Sequence, residues 1–260
     1  MIAAEYNKDN PHVTVEVQSL DWADLPKKVP AAVAAGTPPD IMKDYLGRSS
    51  GYAYEEVLVD MSEVISQEII DDIIPGLIEM YSIAGILHAL PGYFWEQHMV
   101  YNAAAVEAAG LTDLLPPIDK PDWTFDQFYN MAVKLKAANI GVDYPFITQV
   151  ASEQGDYAVH AWIWSAGSNT WKDDCSGLDL DNPKALAGME FLNKLYQEGL
   201  INPDATTAGW QDVENLFYTG KGAFQGGGLY NQGPAVEQAR AEGRVTTPMG
   251  LDVQMTMYPH

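Results

Sequence analysis

Apolar and polar positions alternate between two periods along this chain, and the switches mark its elements. His12 to Gln18 reads HVTVEVQ, a period of two rich in valine, which predicts a strand after a helix ending at Asp9 and stopped by Asn10-Pro11. Asp21 or Asp24 can cap a helix to Ala35, with Pro26 in its first turn and Pro30 expected to kink it. Gly36 and Pro38-Pro39 close that helix, and Asp40 to Tyr45 is predicted as a strand. Tyr52 to Glu56 starts a short helix, and Ile69 to Tyr81 is helical with a break near Pro75-Gly76. Gly85 to Leu90 and Gln97 to Tyr101 are predicted strands, and Ala103 to Ala109 a helix stopped by Gly110.

A proline-rich connection, Leu111 to Asp122, leads to Thr124-Phe125-Asp126-Gln127, the spacing of a capping box. The helix behind it places Phe128, Met131, Ala132 and Leu135 on one face. Tyr144 to Thr148 reads as a strand and Asp156 to Ser165 as an aromatic helix. Asn182-Pro183 supplies a cap and a first-turn proline for a helix ended by Gly199. Gln211 to Tyr218 is helical, Ala223 to Gly226 a short strand, Ala235 to Glu242 helical, and Asp252 to Tyr258 alternates. Strands alternating with helices imply an α/β fold, without internal repeat.

Composition narrows the class. The 260 residues, 47% of them hydrophobic, suffice for one large domain or two small ones. Acidic residues number 36 against 14 basic ones, a net charge of −22 that argues against nucleic acid and anionic membranes as partners. The single cysteine, Cys175, excludes an internal disulfide. No apolar run of about 18 residues exists to span a membrane. Met1-Ile2-Ala3-Ala4 lacks the basic start and apolar segment of a signal peptide. The expectation is a trimmed or partial chain that begins inside a helix.

Candidate chemistry gathers where predicted strands end. Asp44-Tyr45-Leu46-Gly47-Arg48-Ser49-Ser50-Gly51 reads as a polar turn with a carboxylate, a ring and a guanidinium, groups that hold a sugar. Gly47 to Gly51 also fits G-x-S-x-G, so Ser49 is an alternative hydrolase nucleophile, with His98, His160 and His260 as available bases. Glu96 and Asp44 could be imagined as a glycosidase pair. The five histidines show no metal-ligand spacing, and there is no P-loop and no G-x-G-x-x-G after a strand. Neither metal nor cofactor is therefore expected. Arg48 has an alternative role as the ion-pair partner of a nearby carboxylate. Trp162 and Trp164 cannot share a helix face, so one belongs in the core. Trp123 is expected to staple its helix start, and His88 to lie in the core.

Short segments in order carry a resemblance: Asn10-Pro11-His12-Val13-Thr14-Val15, Gly36-Thr37-Pro38-Pro39-Asp40, Gly85 to Pro91, Val100-Tyr101-Asn102, Asp122 to Phe128 and Gly220-Lys221-Gly222-Ala223. The pattern resembles the extracellular solute-binding proteins of ABC transporters, the carbohydrate-binding family that includes maltose-binding protein. Pro26, Pro30 and Ala103 depart from it. The resemblance implies an α/β, two-lobed periplasmic-binding-protein-like fold of type II with an incomplete first lobe. The lobes would be residues 1–98 and 99–254, with 255–260 starting a second hinge crossover. It implies a non-catalytic binder of a sugar or oligosaccharide that works with membrane permease subunits, either periplasmic or as a cell-surface lipoprotein. The chain would be a monomer, or a dimer that borrows strand pairing through its first lobe. The implied ligand contacts are Asp44, Tyr45, Arg48, Tyr93, Trp95, Glu96, Tyr157 and Tyr230. The alternatives kept open are the Ser49 hydrolase and a binder of peptides or other non-sugar solutes.

Overall fold

In a computed structural model, the fold is described for all residues except 1, 21–23, 93–96, 118, 121, 151–154, 173–175 and 229–231; the side chains of 155–157, 228 and 232 also lie outside the description. The chain divides into two compact units, Met1–Phe94 and Trp95–His260.

The first unit carries α1 (Ile2–Asp9), α2 (Leu25–Ala34), α3 (Leu46–Tyr54), α4 (Gln67–Asp72), α5 (Pro75–Met80), β1 (Ser82–Ile83) and β2 (Ile86–Leu87). Pro75 starts α5, so the expected break falls between α4 and α5. Pro30 lies inside α2, which runs on to Ala34. β1 and β2 form a minimal hairpin whose two turn residues, Ala84 and Gly85, both have positive φ.

Two expected strands do not form. Residues 13–20 and 42–45 belong to no β-ladder among the described residues. Alternation gives a segment the pattern of a strand, but only a neighbour supplies the ladder. The Val15 N–H and carbonyl are instead both bonded by the Asn7 side chain, at 2.7 and 3.0 Å. The polar turn expected over 44–51 is also replaced, since α3 begins at Leu46. Its two glycines and two serines are poor helix formers. Packing overrides them, because Tyr52 is buried with Leu25 and Val29 of α2 and Ser49, about one helical turn earlier, is buried too.

The second unit is built on β3 (His98–Asn102), α6 (Ala103–Ala108), α7 (Phe125–Ala138), β4 (Tyr144–Ile147), α8 (Gly155–Ser165), α9 (Pro183–Gln197), α10 (Trp210–Tyr218), β5 (Gly222–Gly228), α11 (Gln232–Ala241) and β6 (Val253–Thr256). Its sheet has the order β4-β5-β3-β6, with β4 and β5 parallel and the other neighbours antiparallel. Strand alternation sorts the core into two layers. Met99, Tyr101 and Phe146 pack with Phe128, Leu135, Trp162 and Phe191 from α7, α8 and α9. Val100 and Ile147 pack with Phe217, Tyr218, Val236 and Ala239 from α10 and α11.

The helix starts follow the expected chemistry. Thr124 and Gln127 form the reciprocal capping box of α7. The Asn182 side chain accepts from the N–H groups of Lys184 and Ala185, ahead of Pro183 in the first turn of α9.

Candidate functional site

Parallel strands end on the same edge of a sheet, where open α/β folds hold ligands. In the second unit that edge lies beyond Ile147 and Gly228. The antiparallel register brings the start of β3 to it, since His98 pairs with Gly228. The end of β6 arrives there too, as Thr256 pairs with Met99. Thr148 and Gln149 are buried at this edge, and the Thr148 N–H donates to Asn202 Oδ1 at 2.9 Å. Gly226 has no room for a side chain, because a Cβ there would lie 2.8 Å from Phe146 Cζ and from the Tyr258 hydroxyl. That close approach lets the Gly227 N–H donate to the Tyr258 oxygen at 2.7 Å.

Beside this edge lies an open hollow of about 620 Å³, lined by Gln97, Asp119, Lys120, Asp122, Ala161, Trp164, Ser165, Met257, Tyr258 and His260. Helical geometry explains its aromatic wall. Residues two apart on α8 point about 200° apart. Trp162 is fully buried, edge-on to Phe146 and Tyr258, whereas Trp164 is 45% exposed beside the His160 ring. The floor is strapped together from distant segments. The Trp123 indole N–H donates to the Met257 carbonyl at 2.9 Å. The His260 N–H donates to the Trp123 carbonyl, and the Phe125 N–H donates to the His260 carbonyl. His260 Nε2 lies 3.2 Å from Asp122.

A second hollow, of about 380 Å³, involves Lys136, Asp143, Tyr144 and Tyr196. Its two charged groups and the Tyr196 hydroxyl are already committed. Lys136 donates to the Gly199 carbonyl, Tyr196 to the Pro203 carbonyl, and Asp143 pairs with Lys221. In the first hollow the Asp119 carboxylate and the Lys120 ammonium have no partner among the described residues. Open aromatic surface beside uncommitted polar groups makes the first hollow the candidate site.

The residues singled out from the sequence are placed as follows. Asp44 accepts two hydrogen bonds from Arg48 Nε, at 2.9 and 3.0 Å, one from Arg48 Nη2 at 2.8 Å, and one from the Tyr45 N–H. The Asp44 side chain is 1% exposed and that of Arg48 16%. Burial works to lower the pKa of Arg48, but the hydrogen bond and charge of Asp44 outweigh it and raise it. Arg48 also sits 4.5 Å from the centre of the half-exposed Tyr45 ring. The strand-to-helix elbow expected around Ser49 is not formed. Ser49 lies within α3 and its Oγ donates to the Leu46 carbonyl at 3.0 Å. Tyr93, Trp95, Glu96 and Tyr230 lie outside the described residues, and Tyr157 is in the first turn of α8 with its side chain undescribed. Trp123 is buried at its helix start, and His88 is buried and stacked on Tyr81. Sequence reasoning missed Trp164, Asp119, Asp122 and Tyr258 as a group. The spacing of Trp162 and Trp164 already required one ring to face outward, but no local signal brings 119–122 and 257–260 beside it.

The family model for bacterial extracellular solute-binding proteins matches residues 1–250. A binding protein of Brucella abortus (strain 2308) is 25% identical over 217 residues, 83% of this chain and 50% of that protein. A solute-binding protein of Thermotoga lettingae, solved with α-D-tagatose, superposes with a TM-score of 0.81 at 23% identity, over 100% of this chain and 64% of its own. An ABC substrate-binding protein of Listeria monocytogenes, solved with cycloalternan, gives 0.78 at 18% identity, over 99% and 62%. The chain thus spans about half the length of the curated relatives it matches. With the match running through nearly all of both units, this chain belongs to the bacterial extracellular solute-binding proteins and has their α/β fold.

Proposed function

We propose that this chain captures a sugar or oligosaccharide without chemical change and delivers it to ABC permease subunits, outside the cytoplasmic membrane as a periplasmic or lipid-anchored protein. The observation that carries the reading is the hollow in which the exposed Trp164 ring stands beside Asp119, Lys120, Asp122 and Gln97. A pyranose offers an apolar C–H face for such a ring and rim hydroxyls for planar polar groups. The likeness to proteins solved with tagatose and cycloalternan supports the same class. Further contacts are proposed from Asp44, Tyr45, Arg48, Tyr93, Trp95, Glu96, Tyr157 and Tyr230. Among the described ones, the Asp44 carboxylate is largely occupied by Arg48, which also lies over the half-exposed Tyr45 ring.

Titration calorimetry against a panel of sugars, polyols and peptides tests the reading. At least one saccharide should bind, and Trp164→Ala should weaken it about tenfold, the scale of one lost aromatic stack. Saccharide affinity unchanged in Trp164→Ala would remove the hollow from the binding surface.

A further inference from the structure

We infer that the solute of this hollow presents hydrogen-bond donors or positive charge and carries no phosphate or carboxylate. The inference rests on the saccharide reading and adds its charge class.

The lining is rich in acceptors. Asp119 has no partner among the described residues, and Gln97 Oε1 is buried with none. Among the described residues Asp122 shares its carboxylate with His260 alone. Among the described lining residues, these two carboxylates stand against one fixed cation, the Lys120 ammonium. The exposed Trp164 face adds to the same preference, because a ring face attracts cations and repels anions. The chain as a whole, at −22, gives an anionic solute no long-range attraction. Sugar hydroxyls can satisfy unpaired acceptors by donating, an amino group does so with added charge, and a phosphate can do neither.

The test compares glucose, glucosamine and glucose 6-phosphate by calorimetry at pH 7 and low salt, on the whole chain and on Asp119→Asn. Glucosamine should bind tightest and glucose 6-phosphate at least tenfold more weakly than glucose. Asp119→Asn should reduce glucosamine affinity several-fold more than glucose affinity, and added salt should narrow the gap. Phosphorylated sugar bound as tightly as glucose would overturn the charge assignment and leave the saccharide reading standing. An unchanged glucosamine-to-glucose ratio in Asp119→Asn would do the same. Failure of all three sugars to bind would overturn this inference, whereas the saccharide reading falls only if no saccharide of the wider panel binds.

Discussion

Gly188 holds α8 and α9 together, and replacing it with alanine should separate them. It is buried in α9 against the Trp162–Ile163 peptide of α8. A Cβ at position 188 would sit 2.8 Å from the Trp162 carbonyl carbon, closer still to its oxygen, and 3.1 Å from the Ile163 nitrogen. These are backbone atoms of the last turn of α8, so no side chain can swing aside. The helices must part by roughly half an ångström or more, which forfeits about a quarter of the dispersion well for each atom pair along the line. Overpacking of this kind costs about 1–3 kcal/mol, and a whole-helix displacement belongs at the upper end. Alanine returns about 1 kcal/mol through helix propensity. The net is a loss of about 2 kcal/mol, or about 4–8 °C in the melting of the second unit. Gly233→Ala is the control, since that glycine lies in α11 with nothing within 4 Å of an added Cβ. It should shift stability by less than about 1 kcal/mol, because the helix-propensity gain is offset by the restriction that Pro234 places on the residue before it. Thermal melts followed by circular dichroism, with urea titration for the free energy, read both variants. If Gly188→Ala melts at or above the parent while Gly233→Ala behaves as stated, the close helix contact does not exist.

Two further outcomes follow from buried polar groups. Gln225 is fully buried at the rung between Val100 and Ile147, and neither amide atom has a partner among the described residues. Gln225→Met keeps the shape and removes the desolvation penalty, so urea unfolding should show a gain of about 1 kcal/mol or more; a loss would mean the amide is satisfied. Burial holds His88 below its ordinary pKa of 6.5. The unfolded chain therefore takes up that proton more readily, and the stability His88 contributes is present above about pH 6.5 and is lost as pH falls toward its lower folded value. Urea midpoints of the first unit at pH 7.5 and 5 should differ less in His88→Phe than in the parent, and equal differences would refute the assignment.

Features whose partners lie a few residues away could be read directly from the chain. The Thr124–Gln127 box, the Asn182–Pro183 start and the Pro75 break each depend on one helical turn, and each appears where the residues demand it. The strands expected over 12–18 and 40–45 failed for the opposite reason. Valine alternation makes a segment fit a sheet, but the ladder belongs to a neighbour that the segment does not encode. Likewise the glycines and serines of 47–51 argue for a turn. Burial of Tyr52 and the Asp44–Arg48 pair make it a helix, and with that Ser49 loses the elbow a nucleophile would need.

The amino-acid order alone determined the α/β class, the capped starts of α7 and α9 and the need for one outward tryptophan on α8, because periodicity and capping act over one or two turns. It also carried the family, through short segments in a fixed order along the chain. Only the tertiary structure decided which tryptophan faces out. Trp162 is drawn inward by Phe146 and Tyr258, residues 16 and 96 positions away along the chain. Assembly of the hollow was decided in the same way, because Asp119 and Asp122 meet Trp164 and His260 only after the sheet is laid down and the 257–260 segment is tied to Trp123.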